Sequence, residues 1–282
     1  RESKEEKRVT YLELQQGRGI MANTKKSINE EKVFRDRYNN DASFRTTINE
    51  SLGSNCMIVK KVPNSVSTDE WALHRGSKRS SPAKSDMSFF DANGQTITSA
   101  TFKNIEGRAT SSKFEETRAA FLTTLYGNPV HKNNAPLRDA IDDLFTTWQP
   151  LSQVLKTAPE IMTSRQKAGI CQHQQLGVYI NMTDVLNSKV KDMHDKYPNF
   201  VKDLMKECLV GQHKFGNTAQ KADFYIQRDR NDQYRVVSTS SANFDAIIDK
   251  YLFNAKGGSK LNVNMKSSSG KSSTRNHWIR FL

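Results

Sequence analysis

A mixed α/β fold, with a central mixed sheet flanked by helices, is predicted by three features of this chain. The first is a β-hairpin signature over Ser85–Lys103. The second is a set of capped amphipathic helix patterns on both sides of it. The third is a second hairpin-like run, Lys221–Ser238, in the last third of the 282 residues.

The hairpin carries the most information. Asn93-Gly94 is a strong two-residue turn signal, because a type I′ turn needs φ > 0 at both central positions. With that turn, Ala92 faces Gln95, Phe90 faces Ile97, Ser88 faces Ser99 and Asp86 faces Thr101. Side chains alternate along a strand, so Lys103 shares the face of Asp86. The opposite face holds Met87, Phe89, Ala100 and Phe102 and is the expected core face. A carboxylate and an amine therefore converge at the open end of the hairpin, an arrangement that suits a divalent metal beside a scissile phosphate.

The other elements follow in chain order. Ser27-Ile28-Asn29-Glu30 is a capping box that opens a helix through about Tyr38. Asp41 caps a second helix, which stops at Gly53. Cys56–Val62 is a short strand candidate, and the polar, basic stretch 64–84 reads as a loop around Trp71. After the hairpin, Ser112 and Glu115 form another capping box for a helix running to about Tyr126, with Gly127 as its stop. Phe114, Arg118, Phe121, Leu122 and Leu125 share one stripe of that helix. Pro136 opens a further helix, with Leu137, Ile141, Leu144, Phe145 and Trp148 on one face. Thr183–His194, Pro198–Leu209 and Phe244–Leu252 also read as helices. The second hairpin turns at Asn231-Asp232, and its Lys221-Ala222-Asp223 echoes Lys84-Ser85-Asp86. Near the end, Leu261, Val263 and Met265 alternate as in a half-buried strand, and Trp278, Ile279, Phe281 and Leu282 indicate a docked terminus.

Glu115 and Glu116 fall in the first turn of the predicted 112–126 helix, where the helix dipole favours negative charge. They follow Lys103 by 12 and 13 residues, close enough for a strand-loop-helix return to the hairpin's open end.

These residues resemble the core of the PD-(D/E)XK nucleases, the restriction-endonuclease-like fold. There, one hairpin strand supplies an Asp and the next a (D/E)-x-Lys. Pro82-Ala83-Lys84-Ser85-Asp86 stands for the first half and Thr101-Phe102-Lys103 for the second. The acid before the lysine is replaced by Thr101. One subgroup of restriction enzymes has Ser or Thr at that position and recruits the missing carboxylate from the following helix, a pattern that Glu115 or Glu116 fits. Spacing favours Glu116 and helical position favours Glu115, so both stand as candidates. The resemblance covers residues 80–126 and implies metal-assisted phosphodiester hydrolysis. Asp86 with Glu116 or Glu115 would hold Mg²⁺, and Lys103 would orient a water or stabilise charge. Members of the fold often add a Glu from a helix before the hairpin. Glu50 is the nearest such acid, but it lies off the Phe44/Ile48/Leu52 stripe.

Charge points to the same partner. The chain carries +13, with a pI near 9.6 and a mean hydropathy of −0.73, as expected for a protein that meets a polyanion. Basic residues cluster around the hairpin: His74, Arg75, Lys78, Arg79, Lys84, Arg108, Lys113 and Arg118. Near the C-terminus, the Ser267–Lys271 loop with Lys266 and Lys271 is suited to phosphate contacts. Nucleic acid, double-stranded DNA first, is the expected partner, and a homodimer is an open assembly state. Cys56, Cys171 and Cys208 lack a CxxC spacing, and with His173 and His213 they match no standard zinc finger. No apolar run reaches membrane-spanning length and no signal peptide is recognised, so the expected site is the cytoplasm of a bacterial or phage-infected cell. The expected division is an upstream or tag segment over 1–20, a nuclease-like core over 21–128 and a DNA-contacting helical and hairpin region over 129–282. The rival reading is a catalytically inactive, basic nucleic-acid-binding or virion-associated protein.

Overall fold

The computed structural model describes residues 30–63, 65–66, 80–81, 83–104, 114–116, 118–157, 174–229, 231–252, 263–267 and 277–281. Helix α1 spans residues 30–40, and α2 (Ala42–Leu52) follows directly. Asp41 is the N-cap of α2, its carboxylate accepting the Phe44 N–H, and Gly53 ends the helix in the left-handed region. Both caps stand where the sequence places them. Strand β1 (Ile58–Lys61) comes next. Two short strands, β2 (Ser65–Val66) and β3 (Ser80–Ser81), pair with each other inside the stretch expected to be loop.

The hairpin is β4 (Met87–Phe90) and β5 (Thr96–Asn104), antiparallel as expected. Ser88 faces Ser99 as predicted, but Phe90 pairs with Thr96 and not Ile97, across an irregularity at Phe89/Phe90. The turn explains the shift. Only Gly94 has positive φ (+78°), so the I′ geometry is not formed. The Asp91 carboxylate instead accepts the N–H groups of Asn93 (2.9 Å) and Gln95 (2.8 Å), closing a longer loop.

Strand β6 (Phe114–Glu116) is a correction to the sequence reading, because a helix was expected to begin there. Helix α3 starts only at Arg118 and runs to Gly127. The helices α4 (Ala135–Thr157), α5 (Gln174–Lys196), α6 (Pro198–Val210) and the single turn α7 (Gln212–Phe215) follow. The chain then forms β7 (Phe224–Arg228), β8 (Tyr234–Ser238), α8 (Ala242–Leu252), β9 (Val263–Ser267) and β10 (His277–Phe281).

The main sheet has the order β1-β4-β5-β7-β8. All its pairs are antiparallel except β5 with β7. A parallel pair needs a crossover, and β6 with helices α3 to α7 supplies it. The sheet thus draws strands from both sides of residue 128. A separate sheet has the order β6-β10-β9, with Glu115 opposite Arg280 and Glu116 opposite Ile279.

Alternation on β7 divides the core. Ile226 joins Phe34, Tyr38, Phe44, Ile48, Val59, Met87, Phe89, Ala100 and Phe102 beneath α1 and α2. Its neighbour Tyr225 points the other way, into a larger cluster built from α3, α4, α5, α6 and α8. The expected core face of the hairpin is therefore buried as predicted. Phe34 is the hub of the first cluster, its ring meeting Phe44, Phe89, Phe102 and Tyr234. Truncating such a residue to Ala costs about 3–5 kcal/mol. Among the described residues no helix is long and apolar enough to cross a membrane.

Candidate active site at the end of the sheet

Asp86 immediately precedes β4. Its N–H donates to the Ala100 carbonyl at 2.8 Å, which continues the hairpin ladder by one residue. Its carboxylate then folds onto β5, where Oδ2 accepts the Phe102 N–H at 2.6 Å and the Thr101 hydroxyl at 3.0 Å. Lys103 Nζ lies 3.9 Å from the same oxygen. The predicted convergence of Asp86 and Lys103 is thus present, and both side chains remain partly exposed. Thr101 is 1% exposed and spends its hydroxyl on Asp86.

A second carboxylate lies at the same end of the sheet, within the electrostatic reach of this pair. Glu31 lies on the α1 stripe with Phe34, Arg35 and Tyr38, so packing of the two aromatics on the sheet carries it to the sheet's end. Burial, and then the charge of Asp86, push its carboxyl from 4.5 up to about 7, while Lys103, Arg35 and Lys61 pull it back. Lys61 is the last residue of β1 and pairs with Met87, next to Asp86. Arg35 Nη1 is buried without a hydrogen-bond partner among the described residues. Two carboxylates and three cations thus share one end of the sheet. On the adjoining strand Gln227 is the register partner of Lys103, and its Nε2 donates to the Tyr225 hydroxyl at 3.1 Å.

The segment leading to Asp86 is fastened to the entry of β7. Lys84 and Ser85 both donate their N–H to the Gln220 carbonyl, each at 3.0 Å, and the Ser85 hydroxyl donates to the Ala219 carbonyl at 2.6 Å. The second Lys-x-Asp tripeptide sits on the other side of β5. The Asp223 N–H donates to the Ser99 carbonyl, and its carboxylate accepts the hydroxyls of Thr98 and Ser99 and pairs with Lys221. The two tripeptides therefore flank β5 in similar ways, but Asp223 is occupied in joining β7 to β5. Below them, buried Glu207 accepts the N–H groups of His213 and Lys214, each at 2.9 Å. Burial pushes the Glu207 carboxyl up, and His213 and Lys84 offset part of that rise.

Glu115 and Glu116 do not sit in a helix's first turn. They occupy β6, in a different sheet from Asp86, so the helical return that was to carry one of them to the hairpin is not formed. The Ser112/Glu115 capping pattern yields to strand pairing with β10. Glu50 is exposed, as its position off the apolar stripe indicated. Glu31 is the acid that sequence reasoning missed. The available signal was its place on the face of Phe34 and Tyr38, three and seven residues on. Among the basic candidates, Lys84 is half-buried with its stem against Gly211, where a Cβ would stand 2.7 Å from Lys84 Cγ. Lys266 lies in β9, opposite Trp278. Arg75, Lys78, Arg79, Arg108, Lys113 and Lys271 lie outside the described residues, as do Cys171 and His173. No family model, curated protein or solved structure matches this chain.

Proposed function

We propose that this chain is a Mg²⁺-dependent nuclease with a restriction-endonuclease-like core, hydrolysing phosphodiester bonds of DNA at the sheet end formed by Glu31, Asp86 and Lys103. The observation that carries the reading is the convergence of Asp86 with Lys103 at 3.9 Å, with a second carboxylate of raised proton affinity at the same sheet end. A carboxylate of raised proton affinity near a lysine–carboxylate pair is more common at reactive sites than on inert surfaces.

The residues present fit a hard divalent cation. Among the described residues no three Asp, Glu, His or Cys side chains gather at one point. An ion held here would rest on Asp86 and Glu31, and Mg²⁺ typically takes one or two carboxylates and completes its shell with waters and phosphate oxygens. A cation between the two would also offset the Asp86 charge that, after burial, raises Glu31. When bound, Mg²⁺ supplies an acidified water and offsets charge on the phosphate. The protein's own groups do the rest. Thr101 and the Phe102 N–H fix the Asp86 carboxylate, Lys103 stabilises negative charge building on the phosphate, and Arg35 and Lys61 offer positive charge to the strand.

Plasmid cleavage in Mg²⁺ against EDTA tests the reading, with Asp86→Asn and Glu31→Gln alongside. The expected result is Mg²⁺-dependent nicking that falls at least 100-fold, an order-of-magnitude figure, in both variants. DNA binding without cleavage in any divalent ion would overturn it. That outcome would favour the inactive nucleic-acid-binding reading, which the placement of Glu115 and Glu116 in β6 supports.

A further inference from the structure

Helix α1 meets the sheet through more than its aromatic residues. Glu30, next to Glu31, forms an ion pair with Arg228 at the end of β7, with both side chains largely buried. The same guanidinium donates through Nε to Asp232 Oδ1 at 2.7 Å. Asp232 sits in the β7–β8 turn with φ +61°. Its other oxygen accepts from Arg37 Nη1 at 2.9 Å, which returns the chain of charges to α1 nearly two turns further along. The helix is therefore tied at two points to one hairpin, and Arg228 is the centre of the network. Register places Arg228 opposite Asn104, one residue beyond the Lys103–Gln227 pair.

Such a tie answers a specific difficulty. Burial disfavours an ionised Glu31 at the sheet's end, so the first turn of α1 needs a hold that keeps it there. We propose that Arg228 is a positioning residue that, through Glu30 and Asp232, holds the first turn of α1 on the sheet and keeps Glu31 at the sheet end that carries Asp86. The role rests on the reading of that pair as a cation site. Arg228 touches neither carboxylate of the pair. Its fork is suited to the task because one planar guanidinium serves Glu30 and Asp232 at once, which a lysine's point charge cannot do.

Mn²⁺ binding to the full chain, followed by electron paramagnetic resonance at pH 7.5 without DNA, tests this. Glu30→Gln and Arg228→Met should each weaken Mn²⁺ binding by about 10-fold, the range found when groups that orient metal ligands are removed. The double variant should be no worse than the weaker single one, because both break one contact. Arg228→Lys should recover part of the loss. Hydrogen exchange of the amides over 30–36 should speed up in step. Lys202→Met is the control, since it breaks an ion pair to Asp249 (2.9 Å) on helices away from the site, and it should leave binding unchanged. Wild type that binds Mn²⁺, with Glu30→Gln and Arg228→Met within 2-fold of it, would overturn the positioning role alone. Additive losses, or losses matched by the control at equal thermal destabilisation, would also overturn it as mere loosening of the fold. Wild type that binds no Mn²⁺ would overturn the metal reading of the site and this role with it.

Discussion

Replacing Glu31 with Gln should make the protein more stable at pH 8 and leave its stability unchanged near pH 4.5. In the folded protein the carboxyl titrates near 7, raised from 4.5 by burial and by Asp86. The shift is upward, so the folded state holds the proton more tightly than the unfolded chain does. Below pH 4.5 both states are protonated and no penalty exists. Between 4.5 and 7 the unfolded chain ionises while the folded protein resists, so stability drains away, and above 7 the loss is constant. At about 1.4 kcal/mol per pH unit the full penalty would be at most about 3.5 kcal/mol. Glu31 is only partly buried, and solvent screening brings the expected gain in Glu31→Gln to about 1–2 kcal/mol at pH 8. Urea unfolding followed by circular dichroism at both pH values measures it. Wild type as stable as the variant at pH 8, or a gain equal at both pH values, would refute the reasoning, since neither is possible if Glu31 is held in the field of Asp86.

Three further outcomes are expected. Lys103→Ala should reduce Mg²⁺-dependent cleavage by about 100- to 1000-fold while DNA affinity stays within about 3-fold, because its work is on transition-state charge; parallel loss of both in gel-shift and nicking assays would remove it from catalysis. Neutralising Lys266 and Lys271 together should weaken binding equally on two unrelated duplexes and flatten the log–log salt slope by roughly one to two. An unchanged slope in a salt titration would make this segment a bystander. Glu207→Ala leaves two partly buried N–H groups without their acceptor and should lower the unfolding free energy by about 1–3 kcal/mol in urea, with Glu207→Gln milder.

Where one residue decides its neighbours, the sequence was readable. Asp41 and Gly53 bound α2 because a carboxylate three residues before an N–H and a left-handed stop act within a single turn. The hairpin was readable because its alternation places Met87, Phe89, Ala100 and Phe102 on one face in either register. Its turn was not, since Asp91 captured two N–H groups that the Asn-Gly rule ignores. Distance in sequence explains the larger miss. A capping box at Ser112/Glu115 is a local preference worth about 1 kcal/mol, and pairing of 114–116 with 279–281 overrides it. No local rule sees a strand that arrives 160 residues later. The same holds for Glu31. Proximity along the chain singles out Glu50, but the packing of Phe34 and Tyr38 over the sheet brings α1 to the site and leaves Glu50 in solvent.

The threonine at 101 links these observations. An acid at that position would stand within hydrogen-bonding distance of Asp86 Oδ2, where Thr101 now donates at 3.0 Å. Two carboxylates on neighbouring strands repel each other when no cation lies between them. With Thr101 the strand contribution becomes a donor that stabilises Asp86, and the second negative charge moves to a helix on the other side of β5. A helix end can shift by a fraction of an ångström without breaking a ladder, so an acid on α1 has freedom that an acid on β5 lacks. If the sheet end is the cation site proposed above, Thr101 leaves the second carboxylate to come from another element, and Glu31, on a helix tied by the Glu30–Arg228–Asp232 network, is placed to supply it.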